Sequence, residues 1–167
     1  PISNDNGLLE IKALAEQNRF PPCVRRGGIF PFDNRPAWVN ALLRFITTSP
    51  TRTLRLVVNA GHGTAGPALD ALDEGLKRAG VPVEFIRIHH QPDGRFPAGV
   101  PNPMLPENRQ RTRLAVIAHH ADAGIAWAGD FDRCFFFDER CAYAENYSPV
   151  GLFSEHFFPR SPGCRIF

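Results

Sequence analysis

Between Leu54 and Phe137, short apolar runs alternate with stretches of helical periodicity, and this alternation constrains the fold more than any other feature. Leu54–Asn59 and Val83–Ile88 read as strands. Between them, Pro67–Ala79 reads as a helix with Leu69, Leu72 and Leu76 on one face, stopped at Gly80. Glu107–His120 reads as the next helix, with Leu114 and Ile117 inward. Gly124–Trp127 and Cys134–Phe137 follow as a third and a fourth strand, the latter with three consecutive phenylalanines suited to a core strand. Strand and helix in turn predict an α/β fold, a three-layer α/β/α sandwich with a mostly parallel mixed sheet.

The flanks are simpler. Leu8–Gln17 carries Leu8, Leu9, Ile11 and Leu14 as one amphipathic helix, with Asn6 as its cap. Phe20–Asp33 contains Pro21-Pro22 and Gly27-Gly28 and reads as a linker. Asn34 is placed to cap a helix with Pro36 in its first turn and a buried stripe of Trp38, Leu42, Phe45 and Ile46. Ser148–Phe158 reads as a last helix ended by Pro159, and Cys164–Phe167 as the start of another strand. A first residue that is not Met, and a closing strand with no crossover after it, are expected of a piece of a longer protein.

Composition narrows the function classes. The chain has 167 residues, 43% hydrophobic and 22% charged, which excludes a disordered, collagenous or coiled-coil chain. No apolar run is long enough to span a bilayer and no secretory signal is present, so no membrane association is expected and a cytoplasmic setting is. Nineteen Lys and Arg against 17 Asp and Glu leave a formal charge of +2, too small a surplus to argue for nucleic acid. Cys23, Cys134, Cys141 and Cys164 form no C-x-x-C pair and are expected as reduced, mostly buried thiols. Proline is concentrated between Pro92 and Pro106, which predicts an extended loop.

Two segments can carry chemistry. Asn59–Pro67 (NAGHGTAGP) joins the first strand to a helix; its glycines serve a close strand-to-helix passage, with an anion at the helix N-terminus as the alternative. Ala128-Gly-Asp-Phe-Asp-Arg133 lies past the third strand, where open parallel sheets bind ligands. In an extended segment, Asp130 and Asp132 share one side. Two carboxylates so spaced suit a hard cation such as Mg²⁺, and Arg133 offers a planar fork to phosphate oxygens. The alternative is a solvated polar turn. His62, His89-His90, His119-His120 and His156 read as surface or satisfied core positions, because adjacent histidines in a strand point to opposite faces.

The stretch from Gly124 to Glu139 (GIAWAGDFDRCFFFDE) resembles the metal-binding loop of bacterial phosphomannomutases, members of the α-D-phosphohexomutase superfamily. Asn59–Gly66, Gln91–Pro97 and Pro101–Asn108 resemble further motifs of that family in the same order. The resemblance implies an enzyme that interconverts hexose 1- and 6-phosphates, such as those of mannose or glucose, through a phosphoserine and Mg²⁺. In the family the loop reads Asp-Gly-Asp-x-Asp-Arg and its three aspartates hold the metal. Here Asp130 and Asp132 are the implied metal ligands and Arg133 the implied phosphate-binding residue, while Ala128 replaces the first aspartate, which implies a weakened Mg²⁺ site. The family's Ser-His-Asn-Pro motif and its sugar-selecting Gly-Glu-Met-Ser loop do not occur, so no catalytic residue is assigned and the chain alone is expected to be inactive.

By the same resemblance, residues 1–33 are expected as the tail of a preceding domain with its linker, 34–158 as the metal-loop domain, and 159–167 as the start of a following domain. A haloacid-dehalogenase-like phosphatase using Asp130 and Asp132 is an alternative, though Cys134 stands where Ser or Thr is usual. A non-catalytic sugar-phosphate-binding or interaction module is the other.

Overall fold

The computed structural model describes residues 2–165. The chain divides into two compact units with the boundary between Asp33 and Asn34. In the first, α1 (Leu8–Glu16) begins after Gly7, whose φ of 112° makes it the capping residue in place of the expected Asn6. The helix buries none of its residues, so its predicted apolar stripe lies open: Leu8, Leu9, Ile11 and Leu14 are all exposed. Residues 17–33 hold no regular structure beyond turns.

The second unit contains α2 (Arg35–Leu43), β1 (Leu54–Asn59), α3 (Ala65–Arg78), β2 (Val83–Ile88), α4 (Pro106–Ala118), β3 (Ala123–Trp127), β4 (Cys134–Phe137), β5 (Tyr143–Ala144) and α5 (Tyr147–Phe157). One sheet runs in the order β2-β1-β3-β4-β5. β2, β1 and β3 are parallel, and β4 and β5 antiparallel, so the sheet is mixed as expected and the parallel part is its first three strands. The short β5 has too few residues to show a period and is absent from the sequence reading.

Val57, Val58 and Asn59 of β1 are buried on both faces of the sheet, whereas edge strand β2 exposes Glu84 and Arg87. Val57 faces Val116, Ala115, Ile86 and Ile88 in a cluster on the α4 side. Val58, its neighbour, faces Ala60, Ala65, Leu69 and Phe85 on the α3 side. On α3 the sequence reading is close: Leu69 and Leu76 are buried and Leu72 is half-buried. Its end is a Schellman cap, with Gly80 at φ 69° and the Val81 and Gly80 amides donating to the Leu76 and Lys77 carbonyls.

Two helices turn differently from the sequence reading. In α4 the buried residues are Thr112 and Val116, while Leu114 and Ile117 are more than half exposed. The cause lies in β3: a Cβ on Gly124 would come within 2.7 Å of Val116 and 3.1 Å of Thr112, so α4 packs small side chains against a strand that presents no side chain. In α2 the buried residue is Val39, which fits over Gly75 of α3. Phe45 and Ile46 lie beyond the end of α2 and are exposed. Asn34 occupies the expected position before α2, but its side chain makes no capping hydrogen bond.

All four cysteines are free, but three of them, Cys23, Cys134 and Cys164, are exposed, against the expectation of mostly buried thiols. Cys134 sits at the first, open position of β4. Phe135 and Phe137 are buried on one face and Phe136 meets Phe153 of α5 on the other, as a core strand requires. Of the expected final strand, Cys164 and Arg165 have no regular structure, and Ile166 and Phe167 lie outside the described residues. No helix among the described residues is long and apolar enough to cross a membrane.

At the N-terminal end of β3, Asp122 accepts from both terminal nitrogens of Arg52, at 2.8 and 2.5 Å, and from the Arg55 amide at 2.8 Å. These bonds, Arg52 first, hold its carboxyl down from 3.8 to about 2. A carboxylate so lowered stabilises the fold fully above its unfolded value, and the contribution is lost as pH falls from about 4 toward 2. Asp122→Asn is therefore expected to lower the melting temperature at pH 7 and to flatten its decline between pH 4 and 2. A parallel shift of the whole pH profile would contradict this.

Candidate functional site

The C-terminal ends of β1 and β3 lie side by side, with Asn59 opposite Ala126. The chain leaving β1 passes through α3 to β2 on one side of this pair, and the chain leaving β3 turns to β4 on the other. Such a switch in direction opens a crevice at the strand ends, and both sequence motifs meet there.

Asn59–Thr64 forms the first wall. A Cβ on Gly66 would run into the His90 carbonyl, and one on Gly63 would lie within 2.8 Å of the Gly129 carbonyl carbon. Gly61 has a φ of 58° and packs on Pro101. These glycines thus serve close backbone passage, the first of the two sequence readings. The Thr64 amide donates to the Gly129 carbonyl at 3.0 Å, so this turn is bonded directly to the acidic turn.

The acidic turn, residues 128–133, joins antiparallel β3 and β4. It is closed by the Ala128 amide donating to the Arg133 carbonyl and the Phe131 amide to the Ala128 carbonyl, both at 3.0 Å. The segment is therefore a closed turn with Phe131 at φ 66°, not the extended run on which the sequence argument relied. Asp130 and Asp132 are both exposed. Hydrogen bonding with Asp130 first, then with Arg133, holds the Asp132 carboxyl below the usual carboxylate range. Arg133 Nε lies 3.1 Å from Asp132 Oδ1 in a water-exposed pair, a weakly stabilising arrangement. Asp130 pairs with no basic side chain among the described residues. Ala128 is 1% exposed and adds no donor atom.

The proline loop forms the opposite wall. Asn108 Nδ2 donates to the carbonyls of Val100 and Asn102, and Arg109 to those of Pro103 and Met104. The Arg109 guanidinium also lies 3.7 Å over the Tyr143 ring. A wide cleft of about 450 Å³ results, lined by Thr64, Phe96, Asn102, Gly129, Asp130 and Arg133. Asp132 stands beside it without lining it.

A second pocket, of about 210 Å³, lies across Pro101 and Asn102 and is lined by Asn59, His89, Glu107, Asn108, Arg111 and Trp127 among others. Here sequence reasoning missed a cluster. His89 has a φ of 47°, which breaks the strand alternation and brings its ring to 5.0 Å from that of His62. Arginine can only donate, so His89 Nε2 accepts from Arg111 at 3.2 Å and its Nδ1–H donates to Asn59 Oδ1 at 3.2 Å. Burial, then Arg111 and His62, push the His89 imidazole below its usual range. Asn59 passes the chain on to Thr112 at 2.9 Å. The available signal was position: His62 and His89 both follow strand ends on the side that carries the acidic turn.

Two adjacent carboxylates open to water fit a hard cation that keeps much of its own water shell. No group of three or more His, Cys, Asp or Glu suited to a metal occurs among the described residues, so any such site here has two side-chain ligands.

The sequence family described as phosphoglucomutase/phosphomannomutase, alpha/beta/alpha domain II, matches residues 36–141. A phosphomannomutase of Salmonella montevideo is 51% identical over 168 residues, covering 99% of this chain and 37% of its own length. A phosphomannomutase of Vibrio cholerae is 45% identical over 166 residues, covering 99% of this chain and 36% of its own. A crystal structure of a phosphoglucomutase/phosphomannomutase family protein from Burkholderia thailandensis superposes with a TM-score of 0.75 at 28% identity, over 97% of this chain and 33% of that one. The chain thus spans little more than a third of the curated relatives it matches.

Proposed function

The chain belongs to the phosphoglucomutase/phosphomannomutase family, whose α/β/α domain II matches its residues 36–141, and from that premise we propose that its acidic turn serves phosphoryl transfer on a hexose phosphate. Asp130 and Asp132 would hold Mg²⁺, and Arg133 would take the phosphate oxygens of mannose or glucose phosphate. The observation that carries this reading is two exposed aspartates and an arginine on one closed turn beside the C-terminal ends of parallel β1 and β3, with Asp130 and Arg133 lining the cleft there.

When bound, the metal supplies positive charge that offsets the charge of a transferring phosphoryl group. The residues around it do the positioning. The Thr64–Gly129 hydrogen bond holds the turn to β1, and Asn108 and Arg109 hold the proline loop across from it. Asp130, Asp132 and Arg133 sum to one negative charge. The exposed Asp132–Arg133 pair opens at little expense, which frees the carboxylate for a cation and the guanidinium for a phosphate. No serine nucleophile motif of the family occurs in this sequence, so interconversion of hexose 1- and 6-phosphates would require groups supplied by other domains.

Mn²⁺ titration followed by electron paramagnetic resonance tests the site, with Mg²⁺ as competitor. The wild-type chain is expected to bind, and Asp130→Asn with Asp132→Asn to lose binding. Phosphorus NMR with mannose 1-phosphate is expected to show weaker binding in Arg133→Gln, and no turnover in any variant. Absence of binding in the wild type, or equal binding in the double variant, overturns the reading.

A further inference from the structure

Phe131 combines three features that the placement of a turn residue between two exposed aspartates does not require. Its backbone is left-handed, at φ 66°, a region uncommon for a bulky side chain. Its ring is not exposed beside its neighbours but joins the cluster of Val58, Ala60, Ala65 and Leu69 on the α3 side of the sheet. And it lies between two other rings, 6.4 Å from Trp38 of α2 in an edge-on arrangement and 5.8 Å from Trp127 at the end of β3.

The turn is held from its other side as well. Gly129 is tightly placed: a Cβ there would lie 3.1 Å from Pro101 and 3.3 Å from Phe96. Its carbonyl is taken by Thr64. With Gly129 confined by the proline loop and Phe131 drawn into the core, Asp130 and Asp132 have one side left to face. The left-handed backbone is what lets the Phe131 ring turn inward while both flanking carboxylates turn out.

We infer that Phe131 is the positioning residue of the acidic turn: its ring, held between Trp38 and Trp127, fixes the backbone from which the two exposed carboxylates project. The inference rests on the proposed cation site but concerns a residue that touches neither cation nor substrate. The chain has only two tryptophans, and both flank this ring, so intrinsic fluorescence reports on the turn directly.

The test separates backbone freedom from the ring. Phe131→Gly keeps the left-handed conformation accessible and removes the ring; Phe131→Leu keeps apolar bulk. Trp38→Leu weakens the anchor from α2, outside the turn, and serves if Phe131→Gly does not fold. Val116→Ala makes a hole in the opposite layer and controls for general destabilisation. Expected is a roughly 10–100-fold loss of Mn²⁺ affinity in Phe131→Gly, the range typical when a residue supporting a metal ligand is removed, with a smaller loss in Trp38→Leu and near-recovery in Phe131→Leu. Val116→Ala should melt earlier yet bind Mn²⁺ as the wild type does. Mn²⁺ should change tryptophan emission in the wild type and not in Phe131→Gly. Wild-type affinity in Phe131→Gly, or an equal loss in Val116→Ala, overturns the inference while leaving the cation site standing. No binding by the wild type overturns both.

Discussion

Ala128→Asp is expected to raise the affinity of this chain for Mg²⁺ by at least about tenfold, because even residues that merely support a metal ligand are worth roughly 10–100-fold. The position is 1% exposed, and its amide is bonded to the Arg133 carbonyl, so the new carboxylate would stand at the closed base of the turn. Without metal it would be an uncompensated charge in a buried place, a change that lowers stability by ~3 kcal/mol or more. With metal that penalty is offset. The expected signature is therefore twofold: calorimetric titration shows tighter binding, and the melting temperature of the variant falls below wild type without Mg²⁺ and recovers with it. A variant that melts lower under both conditions and binds no better would mean that the turn does not direct position 128 toward the cation.

Gly63→Ala is the second large effect. Its Cβ would meet three backbone atoms of Gly129, with the α-carbon at 2.7 Å and the carbonyl carbon at 2.8 Å. Backbone cannot swing aside as a side-chain end can, so the first and second motifs must separate. Overpacking of this kind costs about 1–3 kcal/mol and occasionally more, and the rigid neighbour places this case at the upper end. The Thr64–Gly129 hydrogen bond would be lost with it. Thermal melts should show the drop, and amide NMR should place the largest shifts at Thr64, Gly129 and the turn between Ala128 and Arg133. Gly94→Ala, where an added Cβ meets nothing within 4 Å, is the control expected to leave both measurements near wild type. Equal behaviour of the two variants would remove the argument that the two motifs are packed backbone to backbone.

Strand positions were legible in the sequence as short runs dominated by apolar, β-branched and aromatic residues. β1, β2 and β4 fall where LRLVVN, VEFIRI and CFFF stand. The acidic turn was legible for a different reason: two aspartates and an arginine at the end of a strand are unusual enough in composition to announce themselves. The helix faces were not. Leu114 and Ile117 of α4 face outward because Gly124 of β3 leaves a shallow place that accepts Thr112 and Val116, and in α2 it is Val39 that sits over Gly75 of α3.

By itself, then, the amino-acid order determined β1 to β4 and the mixed α/β class, and it singled out Asp130 and Asp132 as the candidate cation ligands. Tertiary structure alone decided how they are aimed. Left-handed backbones at Phe131 and His89 overrode the alternation of an extended chain, closing the acidic segment into a turn and bringing the His89 ring beside that of His62. The physical reason is that periodicity is a property of regular backbone, while these sites lie where the backbone stops being regular and packing against distant residues sets each dihedral.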